Sequence, residues 1–122
     1  VEDVTGRPLP ELVDEMILKP AGLAHSSIAD PLPARLAGLR ASGHGRDGVP
    51  FAGHSFVRGG SACCGLWTTA SDLAGFAVET QRALRGESGA LMTPATARSM
   101  SVPTGSETMG LGWALARHGR AV

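Results

Sequence analysis

Residues 61–76 read SACCGLWTTASDLAGF, and the fold turns on how this stretch is read. Its adjacent cysteines raise a redox or metal site, whereas the residues after them raise a helix start. Thr69 followed three positions later by Asp72 fits the second. A hydroxyl there accepts a backbone N–H, and an acidic group favours the positive end of a first turn. Leu73, Phe76, Ala77, Thr80 and Leu84 continue one face at helical spacing, which predicts a helix from Ala70 to Leu84, ending before Gly86. Cys63 and Cys64 are the only cysteines in the chain. A bridge between sequence neighbours is strained, and no C-x-x-C pair is present. Both thiols therefore read as small buried apolar residues at a tight corner. Trp67, just ahead of the cap, reads as packing over the start of the helix.

Downstream, Thr93-Pro94 repeats the cap-then-proline pattern and predicts a shorter helix to Met100, with Pro103 beyond it. The segment GLGWALARHGRAV places Leu111, Trp113 and Leu115 in alternation, which predicts a strand from Leu111 to Arg117 entering a hairpin with its tip at His118-Gly119. Trp113 then belongs to the core on the sheet. Arg85-Gly86-Glu87 reads as loop punctuation.

Upstream, Leu9, Leu12, Val13, Met16 and Ile17 fall on one face of an amphipathic helix, while Glu11, Asp14 and Glu15 fall on the other. Pro10 suits its first turn, and Pro20 with Gly22 closes it, giving a helix from Pro10 to Leu18. Glu2, Asp3, Glu11 and Glu15 read as a solvated helical surface. Val1 to Thr5 followed by Gly6 matches a last helical turn with a left-handed stop. Between Ala29 and Pro50, prolines and glycines leave room for one helical turn near Ala34 and for weak strands about a tight turn at Asp47-Gly48. HSFVRGG, residues 54–60, reads as a loop.

Composition excludes several chemistries. The formal charge is zero, with eleven basic and eleven acidic residues scattered along the chain, so neither a nucleic-acid backbone nor an acidic membrane is expected as partner. No apolar run approaches the ~20 residues that span a bilayer. The sequence contains no tyrosine, and Lys19 is its only lysine. His25, His44, His54 and His118 lack the companions of a zinc site, so no metal or other cofactor is expected. Richness in alanine, glycine and arginine with a single lysine suits a GC-rich bacterial genome.

The segments VEDVTGRPLPELVDEMILKPAGL, CCGLWTTASDLAGF, LMTPATARSM and GLGW, in this order and spacing, resemble the middle of the serine beta-lactamase and penicillin-binding-protein-like hydrolases, in their class C and esterase branch. The resemblance implies the helical lobe of a beta-lactamase/transpeptidase-like α/β fold. On that view residues 1–122 are a single partial domain, mainly α with a short β-hairpin, truncated at both ends. It also implies a serine acyl-transfer enzyme with a Ser-x-x-Lys nucleophile and base, a Tyr-x-Asn pair, and a Lys/His-x-Gly strand beside the oxyanion site. Met16 stands three residues before Lys19 where a serine would be needed, tyrosine is absent, and HGR at 118–120 lacks the final glycine. No catalytic residue is therefore expected in this chain.

By the same resemblance, the segment before the helix at Ala70 forms part of the substrate-cleft wall. Cys64 and Gly65 become the substrate-binding residues, with Gly65 allowing close approach of backbone and ligand. Cysteine departs from the small residue of many esterase-like relatives and from the aromatic of some lactamases. The expected partner is a small ester or amide, beta-lactams included, cleaved by the full-length parent. Self-association is expected of the fragment alone through its unpaired strand edge. Two other readings stand beside this one: a free-standing, non-catalytic helical binding module, and a thiol or metal protein built on Cys63 and Cys64.

Overall fold

The computed structural model describes residues 1–51, 61–87, 91–105 and 107–115, except for the side chains of Ser61 and Cys63. Residues 1–72 and 73–122 form two compact units. In the first, helix α1 (Glu2–Thr5) stops where its sequence says it should. Gly6 follows at φ 65° and donates its N–H to the Glu2 carbonyl, a left-handed stop that glycine adopts without a Cβ penalty.

The helix expected over residues 10–18 is present but changes character midway. Leu9–Val13 is α-helical (α2), with Pro10 in its first turn, whereas Asp14–Leu18 winds as a π-helix. Wider i→i+5 turns break the 3.6-residue rhythm. The apolar face is revised accordingly: Leu12 and Leu18 are buried, while Met16 and Ile17 are 65% and 37% exposed. The same i→i+5 spacing recurs where the Leu23 N–H donates to the Leu18 carbonyl at 2.8 Å. The acidic face is paired as well as solvated, since Arg7 bonds Glu15 and lies 3.9 Å from Glu11. Beyond Gly22 the chain buries Leu23, Ile28 and Leu36, the last on helix α3 (Ala34–Ala37). With Leu12 and Leu18 these make the apolar core of the first unit.

The turn at Asp47-Gly48 is found. The Gly48 N–H donates to the Gly45 carbonyl at 3.0 Å, and Asp47 Oδ1 accepts from the Val49 N–H at 3.0 Å. The flanking strands reduce to one isolated antiparallel bridge, His44 with Pro50. Gly43, Gly45, Gly48 and Pro50 leave the segment too few side chains and donors for a longer ladder. The HSFVRGG loop lies outside the described residues.

Helix α4 is the single turn Ser61–Cys64, and α5 runs from Ala70 to Leu84, the bounds expected from sequence. In the second unit α5 buries Thr80 and Ala83, whereas Leu73, read as part of the inward face, is 53% exposed. The Thr80 hydroxyl satisfies itself on the Phe76 carbonyl at 3.0 Å. Arg85-Gly86-Glu87 is a turn, with Gly86 at φ 77° and the Arg85 Nε donating to Glu87 at 2.7 Å. Helix α6 (Pro94–Met100) begins as its sequence predicts, with Thr93 Oγ1 accepting from the Thr96 N–H at 3.2 Å.

The expected β-hairpin is not seen. Among the described residues there is no strand, only isolated bridges. Met109 bridges Ala114, the Gly110 N–H donates to the Trp113 carbonyl at 2.8 Å, and Gly112 turns the chain at φ 81°. Leu111 is thus exposed in a tight turn rather than facing a sheet. Two glycines a residue apart allow that reversal, and they outweigh the alternation of Leu111, Trp113 and Leu115. Trp113 is half-buried and stacks on Phe76 of α5, with ring centroids 6.0 Å apart and planes 9° from parallel. Its packing partner is a helix, not a sheet. Arg117, the His118-Gly119 tip and the HGR triplet lie outside the described residues.

Candidate functional site

Cys64 ends α4 as an exposed thiol, followed by the half-buried Gly65. The side chain of Cys63, read as a buried corner residue, lies outside the described residues. The stretch between Gly65 and α5 is tied to residues 25–27. Trp67 and Ser27 exchange two backbone hydrogen bonds, Ser27 N–H to Trp67 carbonyl at 2.9 Å and the reverse at 2.8 Å. Thr69 then caps α5, its hydroxyl accepting from the Asp72 N–H at 3.1 Å.

The Asp72 carboxylate reaches beyond the cap to residues distant in sequence. Its Oδ2 accepts from the Ser26 hydroxyl at 2.7 Å and from the His25 N–H at 2.9 Å, and its Oδ1 lies 3.8 Å from His25 Nδ1. Ser26 is buried and also lies 2.8 Å from the Thr68 hydroxyl. Burial alone would push the Asp72 carboxyl up. The opposing effects of the Ser26 hydroxyl, the His25 N–H, the His25 ring and Thr69 outweigh it and hold the group below its ordinary value. The Thr69–Asp72 spacing in the sequence accounts only for the part Asp72 plays in the first turn of α5. Its partners lie 46 and 47 residues away, and the only local sign of them is the polar pair Ser26-Ser27 after an apolar run.

Ser26, His25 and Asp72 share the residue types of a hydrolytic triad but not its geometry. A triad places the imidazole between hydroxyl and carboxylate. Here the serine donates straight to the carboxylate, is 1% exposed, and leaves the histidine ring on the outside. The cluster is a polar latch joining residues 25–27 to the start of α5. Lys19 is likewise no general base. Its ammonium is exposed and 2.7 Å from Asp14, whose hydrogen bond and charge raise its pKa above the ordinary value, opposite to what a lysine base requires. Among the described residues no three His, Cys, Asp or Glu side chains converge as metal ligands, and no helix is long and apolar enough to cross a membrane.

The family model described as Beta-lactamase matches residues 1–121. The chain belongs to this family. No curated protein and no solved structure matches it. The helical architecture of the described residues accords with a piece of the beta-lactamase fold, and family membership gives the chain a serine-hydrolase-like origin.

Proposed function

We propose that this chain is the helical lobe and one cleft wall of a serine hydrolase that cleaves a small ester or amide through an acyl-enzyme. The observation that carries this reading is the Beta-lactamase family match over residues 1–121. In such a reaction a serine oxygen bonds the substrate carbonyl carbon, the alcohol or amine leaves with a proton, and water then releases the acid and regenerates the serine. Here Ser26 is committed to Asp72, Lys19 to Asp14, and tyrosine is absent. In this reading nucleophile, base and oxyanion donors belong to the parent enzyme rather than to these residues. Cys64 and Gly65 form a wall against the acyl group, and what supports it is the fixed course of the chain just after them, held by the Ser27–Trp67 pairing and the Thr69 cap.

The 122-residue chain is expected to hydrolyse neither a chromogenic lactam nor a nitrophenyl ester above a buffer blank. The same sequence extended through its own reading frame is expected to turn over at least one of them, with loss of activity on a serine-directed acylating agent. Turnover by the short chain that such an agent abolishes, or an extended protein with no Ser-x-x-Lys upstream, would overturn the reading.

In the extended enzyme Cys64→Ser should shift substrate preference and leave the acylation machinery intact, because it changes one wall contact. Comparing kcat/KM for two substrates of different acyl size checks this. A uniform loss of about a thousandfold, which is about 4 kcal/mol of transition-state stabilisation, would place Cys64 in the chemistry instead.

A further inference from the structure

The first unit contains a groove of about 300 Å³ that the acyl-transfer reading does not use. Leu32, Leu36, Leu39, Leu66 and Trp67 give it apolar walls, and Arg40 stands among them. Of its lining, Leu36 is buried, while Leu39 and Leu66 remain 66% and 51% exposed, apolar surface left in water along one concavity. Arg40 is half-buried and makes no ion pair or hydrogen bond among the described residues. The carboxylate beside the groove, Asp72, is turned onto Ser26 and His25, and His25, the other titratable group on the wall, lies against that same carboxylate. The groove thus offers an apolar body and a cation without a partner among the described residues.

We infer that this groove binds a small amphipathic carboxylate, its chain against Leu36, Leu39, Leu66 and Trp67 and its head on the Arg40 guanidinium. The volume is at the small end of ligand pockets, which suits a medium-chain acid rather than a bulky ring system. A guanidinium meets a carboxylate with two parallel N–H donors, a match that an alcohol or amide of the same length cannot make. The site does not depend on the hydrolase reading, since neither a nucleophile nor Cys64 enters it.

Trp67 lines the groove, and Trp113 is the only other tryptophan, so Trp113→Phe in the full chain leaves a single reporter. Octanoate titrated into this variant is expected to give a saturable change in Trp67 fluorescence. Charged hydrogen bonds of this kind make octanoate roughly ten- to a hundredfold tighter than 1-octanol, with acetate giving no change. Arg40→Gln should bring octanoate down to the affinity of octanol while leaving octanol itself unchanged, and Arg40→Lys should restore part of the preference. Equal binding of octanoate and octanol, an unsaturable response, or a preference for octanoate that survives Arg40→Gln would each overturn the inference.

Discussion

Asp72→Ala is expected to destabilise the chain by about 3 kcal/mol, read as a drop in the chemical-denaturation midpoint with little change in slope. The alanine removes one acceptor that serves two donors. The Ser26 hydroxyl and the His25 N–H both end on Asp72 Oδ2, and Ser26 is buried to 1% exposure, so water does not readily replace the lost partner. A buried donor left unmade costs about 1–3 kcal/mol, more than the net gain of making the bond. Asp72→Asn separates shape from charge. Its amide oxygen can still accept from both donors, so the loss should fall to about 1 kcal/mol. Ser26→Ala should cost less than Asp72→Ala, and the double variant should cost less than the sum, because the two side chains form one network.

The pH dependence of this latch has a fixed sign. The folded-state carboxyl of Asp72 titrates below its ordinary value. Its contribution is therefore complete above about pH 5, where an unfolded aspartate is already ionised, and is lost as pH falls through the ordinary value and then the folded one. The stability gap between the unmodified chain and Asp72→Asn should persist down to about pH 5 and close as pH falls further. A gap that widens on acidification would show that the charge opposes folding here.

The parts of this fold that sequence made legible are those fixed by neighbours. Thr69 caps α5 over three residues, Gly86 stops it, and Thr93-Pro94 starts α6; each signal and its effect lie within one helical turn. The bounds of α5 followed, since a 15-residue helix with both ends marked leaves little to tertiary context. The π-helical winding of Asp14–Leu18 was hidden because an apolar pattern reports a period and not which carbonyl each N–H chooses. The Ser26–Asp72 latch was hidden for a different reason. A single hydroxyl and a single carboxylate far apart in sequence carry no local pattern, and the nearer explanation for Asp72, the start of α5, was also true in part. At Leu111–Leu115 the sequence held two signals, an alternation of large residues and a pair of glycines, and the glycines prevailed. As for the candidate wall, Cys64 and Gly65 were legible as a corner before a helix, and their bearing on substrate rests on the family.

That same glycine pair makes Gly110→Ala the most damaging small change expected in the second unit. A Cβ at Gly110 would run into the Met100 carbonyl oxygen, with the Met100 carbonyl carbon and the Val102 carbonyl oxygen each only 3.3 Å away. All three are backbone atoms, so no rotamer change makes room. The Met100 carbonyl is already engaged, accepting from the Leu111 N–H at 3.1 Å, and the Gly110 N–H holds the turn closed on Trp113. Moving either side of this contact breaks the link between the end of α6 and the turn that carries Trp113. Overpacking costs typically 1–3 kcal/mol where side chains can adjust; with only backbone to move, the upper end, about 3 kcal/mol, is expected. Gly112→Ala is the control. It faces open space, so its cost comes only from φ 81°, about 1–2 kcal/mol for a residue with a Cβ in the left-handed region. The Phe76–Trp113 stack supplies the readout, because near-UV circular dichroism and tryptophan emission both respond to it. Gly110→Ala should lose that signal at a lower denaturant concentration than Gly112→Ala; the reverse order would mean that α6 and the turn are not in contact through Met100.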